Sequence, residues 1–181
     1  VALSKLFAAH DLTRIYQALV WGTPNPRKGT IDAPIARHPI DRKRMAVVGQ
    51  GGKPALTRYR TLRVWGMAAL LLECRLETGR THQSRVHLSS RGHPVVGDPV
   101  YGGRVRKVLS LRQVERSLAD NLLRLLRRQA LHATELEFLH PATRETLRFT
   151  SVPPRNIQFP QIPPLTQLHR HLSLPYHLRF L

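Results

Sequence analysis

The sequence predicts an α+β domain, and three stretches predict it. Residues 67–77 alternate as a strand does, with Leu70, Leu72, Cys74 and Leu76 on one side and Glu73, Arg75 and Glu77 on the other. Residues 131–139 alternate again, setting Leu136 and Phe138 against Glu135 and Glu137. Between them, Leu111, Val114, Leu118, Leu122, Leu125 and Leu126 mark one side of a helix, while Arg112, Arg116, Arg124, Arg127 and Arg128 lie elsewhere on it. This establishes mixed α and β but leaves the strand order open. A chain of 181 residues is one domain's worth, long enough for a real core.

Taken in order, residues 2–10 place Leu3, Leu6 and Phe7 at helical spacing before Asp11 breaks the pattern. Residues 13–22 read as a strand. Ile15, Leu19 and Trp21 point one way and Tyr16, Ala18 and Val20 the other, a pattern suited to cover on both faces. From residue type alone Tyr16 is a core tyrosine. Residues 23–29 form a turn rich in proline and glycine, and residues 31–54 show little periodicity. There Arg37, Arg42, Lys43 and Arg44 cluster ahead of a glycine-rich bend, either as a solvated charge run or as contacts to a polyanion. Gly51, Gly52 and Lys53 do not make a P-loop, which needs an earlier spaced glycine and a Ser or Thr after the lysine. Residues 56–64 and 67–77 make a hairpin turning at Gly66.

The stretch that organises the chain is LETGRTHQSRVHLSSRGHPVVGDPVYGG, residues 76–103. A helix is predicted to start at Thr81, capped by its hydroxyl, and to stop at Gly92 and Pro94. His82, Arg85, Val86 and Ser89 then share a side, mounting a permanent cation on a rigid element. Asp98 reads as a turn residue bonding local amides. A basic connector spans residues 104–107, and residues 145–150 can return beside 131–139. Residues 151–181 carry many prolines without a period and are expected to be irregular. His169, His171 and His177 lie there without a nearby carboxylate or cysteine, so no metal site is expected.

Charge narrows the partner. Lys and Arg number 29 against 11 Asp and Glu, a net +18, which favours a polyanion bound less tightly as salt rises. The single cysteine, Cys74, excludes an intramolecular disulfide or a cysteine-rich zinc site and reads as a small core residue. No apolar run approaches the roughly 20 residues that span a bilayer, and none reads as a signal peptide, so a cytoplasmic protein is expected. No helix-turn-helix or zinc-finger pattern points to DNA.

ETGRTHQSRVHL and GHPVVGDPVYG resemble the ETGRTHQIRVHL and GHPLVGDPLYG signatures of the RluA-type RNA pseudouridine synthases. The similarity runs in order from about Ala2 to Phe149, and Ser84 stands where that family has isoleucine or leucine. The resemblance implies a mostly antiparallel, twisted mixed sheet flanked by helices, with a basic cleft. It implies that Arg85 pairs with a catalytic aspartate and that Tyr16, in RIYQALVWG, stacks on the target base. Arg80, His82 and the basic loop of Arg42, Lys43 and Arg44, which looks like the family's insertion, would then contact RNA. Near Arg144 the family usually has glycine. Its nucleophilic aspartate sits in an HRLDxxTSG segment upstream of Val1, so residues 1–150 are expected to be a partial catalytic domain, inactive alone. The implied reaction isomerises uridine to pseudouridine in ribosomal or transfer RNA, by a monomer, with no metal or cofactor. The alternative is a catalytically dead, RNA-binding remnant.

Overall fold

The computed structural model describes residues 12–104 and 113–153. Ten elements lie within them: β1 (Thr13–Trp21), β2 (Lys28–Asp32), β3 (Ile35–Arg37), β4 (Met45–Val47), β5 (Leu56–Trp65), β6 (Ala69–Leu76), α1 (Gln83–Ser90), α2 (Gln113–Leu125), β7 (Leu131–Leu139) and β8 (Thr146–Thr150). Six strands form one sheet in the order β2-β5-β6-β1-β7-β8, and β3 and β4 form a separate two-stranded sheet. Every pairing is antiparallel. The α+β architecture predicted from the sequence is the one observed.

β1 lies in the middle because both its sides can be buried. Ala18, Leu19, Val20 and Trp21 are all essentially inaccessible and join β6, Leu88, Val95 and Val96 in the main core. Register then fixes which side chains share a face. Tyr16 lies opposite Cys74, and Cys74 lies opposite Tyr59, so these three point the same way. Cys74 is fully buried, and burial, with Glu73 adding to it, pushes its thiol up to about 12. On the other face, cross-strand pairs such as Arg60–Glu73 (2.7 Å) and Arg148–Glu135 (2.7 Å) stay exposed to solvent, where such pairs contribute little.

Several expectations shift. The hairpin turns at Gly66, with φ of +58°, but its second strand starts at Ala69. Residues 23–54 hold three short strands rather than a turn and an irregular loop. The apolar residues of β2, β3 and β4 do not alternate over enough length to register as strands. In α2, Leu118, Ala119 and Leu122 are buried, as is Leu126 just beyond, whereas Leu125 is 62% exposed and leaves the predicted stripe. Arg104 caps the end of this helix, donating from Nη1 to the Leu126 carbonyl (3.0 Å) and from Nη2 to that of Leu123 (3.4 Å). Arg144 has φ of +62°, a left-handed conformation that glycine adopts without steric cost. Leu3, Leu6 and Phe7, residues 105–107, Leu111, Arg112, the Val114 side chain and the tail with His169, His171 and His177 lie outside the described residues. Among the described residues, no helix is long and apolar enough to cross a membrane.

Candidate active site and basic cavity

The site is built on the turn from Thr78 to His82 and on α1, and Gln83 holds the two together. Its Nε2 donates to the Leu56 carbonyl (3.0 Å) and to Thr57 Oγ1 (3.1 Å). Its Oε1 accepts from Thr78 Oγ1 (2.8 Å) and from the Arg80 amide (2.9 Å). Every hydrogen-bonding position of this buried amide is thus used, which ties the turn to β5. The Thr57 hydroxyl donates a hydrogen bond to His87 Nδ1 (2.9 Å), while His87 Nε2 donates to the Ala33 carbonyl (2.9 Å). His87 is therefore neutral. Burial lowers its pKa, helped by Arg91 and opposed by the Ala33 carbonyl and Asp32. The helix begins at Gln83, two residues later than predicted, and Thr81 does not cap it. His82 stands at the cap position with φ of +57° and makes no side-chain cap bond.

Arg85, Asp98 and Tyr101 form the centre. Arg85 Nε donates to Asp98 Oδ2 (2.7 Å) and Nη2 to Oδ1 (2.9 Å), a bidentate pair whose carboxylate is inaccessible to solvent. Asp98 Oδ1 also accepts from the amides of Val100 (2.9 Å) and Tyr101 (3.1 Å), the turn role expected of it. Burial alone would raise the Asp98 carboxyl, but the Arg85 guanidinium and these two amides outweigh it and hold the pKa below the usual value. The guanidinium carbon of Arg85 lies 4.8 Å from the centre of the Tyr101 ring, and that of Arg44 lies 5.4 Å from it. Tyr101 Oη accepts from the Met45 amide (3.0 Å) and sits 2.9 Å from His82 Nδ1, while Ser89 Oγ donates to the Tyr101 carbonyl (2.9 Å). Val86 packs in the same small core as Tyr101. The four residues predicted to share a side of the helix, His82, Arg85, Val86 and Ser89, thus converge on one residue, Tyr101.

Tyr101 Oη thus links the Met45 amide to the His82 imidazole. Burial lowers the His82 pKa, Arg85 lowers it further and Asp98 partly compensates.

Tyr16 stands on the sheet face that α1 covers. It is paired through Cys74 to Tyr59, two residues along β5 from Thr57, to which Gln83 and His87 bond. Two residues before it on β1, Arg14 packs its guanidinium where a Cβ on Gly79 would lie, so any side chain at Gly79 would displace it. Burial lowers the pKa of Arg14, as does Arg80, while Tyr16 opposes them. Tyr16, Arg14 and the Gly79–Arg80 turn are therefore neighbours.

A cavity of about 500 Å³ lies beside this centre, lined by Ile35, Ala36, Arg37, Lys43, Met45, Gly51, Lys53, Gly79, Arg80, Thr81 and His82. The basic cluster expected to act together is divided by the structure. Lys43 lines the cavity, Arg44 turns to Tyr101, and Arg42 offers its carbonyl to Arg37 Nη1 (3.0 Å). Arg85 and Tyr16 do not line it. Among the described residues, no group of three or more His, Cys, Asp or Glu could hold a metal ion.

Sequence reasoning missed Tyr101, Arg14, Gln83 and Lys53. Tyr101 ends the same GDPVY run as Asp98, and an aromatic so placed was the available signal. Arg14 gave none, because its partner Gly79 is 65 residues away.

The description "RNA pseudouridylate synthase" belongs to the family model that matches residues 1–90. Ribosomal large subunit pseudouridine synthase D of Zymomonas mobilis is 45% identical over 157 residues, 86% of this chain and 46% of that protein. The protein of the same name from Nitrosomonas europaea is 50% identical over 149 residues, 82% of this chain and 40% of that one. The chain thus spans less than half the length of these relatives. Among solved structures, human RNA pseudouridylate synthase domain containing 1 superposes with a TM-score of 0.65 at 29% identity, covering 84% of this chain and 59% of that one.

Proposed function

The chain belongs to the RluA-type RNA pseudouridine synthase family, and we propose that it supplies the arginine and the base-stacking surface of a site that isomerises uridine to pseudouridine in structured RNA. The observation that carries this reading is the fixing of Arg85 by Asp98 on α1, the helix that packs on the sheet face presenting Tyr16. Ribosomal RNA is the substrate the relatives' names favour.

The reaction breaks the bond from C1′ to N1 of uridine, turns the freed uracil and rejoins it through C5. It needs a carboxylate at the ribose, a cation to keep that carboxylate ionised and aimed, and a flat surface for the detached base. Arg85 has the second role. Asp98 takes its Nε and Nη2, and no described residue hydrogen-bonds its Nη1, which is the donor available to a further carboxylate. Asp98 fixes the plane of the fork, so it positions Arg85 rather than acting on substrate. Tyr16 provides the surface, where stacking on an aromatic ring contributes about 1–3 kcal/mol per base. Arg80, His82 and Lys43 hold flanking phosphates, which sets position without reading sequence. The target uridine must leave its stack, at a cost of a few kcal/mol that is lowest in loops.

A second reading, RNA binding without turnover, is favoured by Asp98 already occupying the Nε–Nη2 edge of Arg85 with a carboxylate. The two separate in one experiment. With an HRLDxxTSG segment joined upstream, the protein is incubated with ribosomal RNA and pseudouridine is mapped. Product that disappears with Arg85→Met while the variant still binds RNA supports catalysis. RNA binding that weakens with salt, without product, supports the second reading.

A further inference from the structure

The cavity beside α1 has two kinds of wall. Arg37, Lys43 and Lys53 reach it from the β3–β4 hairpin and its return, and Arg80 and His82 from the turn before α1. Ala36 and Met45, with the buried Ile35, give it an apolar side, and no Asp or Glu among the described residues lines it. Its position is held firmly. The Met45 amide is bonded to Tyr101 Oη, and Arg80 Nε donates to the Pro54 carbonyl (2.9 Å). A surface that only tracked a duplex backbone would need the cations but not a recess with an apolar side. A nucleotide, an anion joined to a flat ring, matches both, and about 500 Å³ lies within the range of small-molecule pockets.

We propose that this cavity is a pocket for one unpaired nucleotide of the bound RNA, with its phosphate among Arg37, Lys43 and Lys53 and its base against Ala36 and Met45. The proposal rests on RNA being the partner. The pocket is distinct from the Arg85 centre, none of whose reacting groups lines it, and it takes a nucleotide other than the one isomerised. Arg42 and Arg44, though adjacent in sequence to Lys43, are not part of it.

The test is a binding titration of the full chain with uridine 5′-monophosphate, uridine and inorganic phosphate, each competing against a labelled single-stranded oligouridylate. The monophosphate is expected to compete, with uridine and phosphate each far weaker. Lys43 and Lys53 are exposed, so Lys43→Gln/Lys53→Gln should fold normally. Loss of two charge-assisted contacts should weaken the monophosphate about tenfold or more and lower the salt slope for the oligomer by about 2. Arg127→Gln/Arg128→Gln, which removes the same charge after α2, should leave monophosphate binding unchanged. Phosphate competing as well as the monophosphate, or the two double variants behaving alike, would overturn the pocket in favour of diffuse attraction. Because the readout is binding, a protein that makes no pseudouridine can still pass, and an active one can still fail.

Discussion

Arg85 and Asp98 close their ion pair with almost no solvent around it, so truncating either partner strands the other as a buried charge. Arg85→Met is therefore expected to lower stability by about 3–5 kcal/mol, as read by urea unfolding. A small change would mean that water reaches Asp98. His87 behaves differently because it is buried neutral. Its folded pKa is depressed, so its contribution is complete above the unfolded value of about 6.5 and fades as pH falls toward the lower folded value. The thermal midpoint should drop between pH 7.5 and pH 5, and His87→Gln should flatten that part of the profile. An unchanged slope in the variant would assign the loss to other groups.

At the scale of elements, α2 shows where periodicity misleads. Leu122 and Leu125 lie three residues apart and both fit an apolar stripe, yet only Leu122 reaches the core. Leu122→Ala is expected to cost about 2–5 kcal/mol and Leu125→Gln less than about 0.5 kcal/mol, compared by thermal unfolding. The strands β1, β5, β6 and β7 were legible because each is long and at least half-covered, so its alternation or continuous apolarity is visible. The strands β2, β3 and β4 were not, since three to five residues, at the edge of the main sheet for β2 and in a separate two-stranded pair for β3 and β4, carry too little pattern. The helix α1 was legible in its composition but not in its start. The Gln83 amide donates back to the Arg80 carbonyl (3.0 Å), so this donor of the first turn is met without a threonine cap. The site was half legible. Arg85 and its helical companions could be read from spacing, but the ring they converge on, Tyr101, lies beyond the helix and is brought back only by the turn that Asp98 stabilises.

Across the whole molecule, the main sheet ends in β2 on one side and β8 on the other. Phe149 on β8 is 55% exposed and stacks on Phe138 at 6.0 Å, leaving an apolar strip beside an edge that no further described strand pairs with. Such an edge invites pairing between copies. Phe149→Lys is expected to slow aggregation during mild heating, as followed by light scattering, without lowering the unfolding midpoint by more than about 1 kcal/mol equivalent. Faster aggregation would place the sticky surface elsewhere.

Cys74 sits at the centre of that sheet, between Tyr16 on one neighbouring strand and Tyr59 on the other, with its thiol pushed up to about 12. Because only the thiolate reacts with electrophiles, a maleimide or disulfide reagent should leave the native protein unmodified for as long as β1 and β6 stay zipped. Its slow incorporation then becomes a built-in clock for how often the floor beneath Tyr16 comes apart, and added RNA should slow that clock if it grips the neighbouring turn.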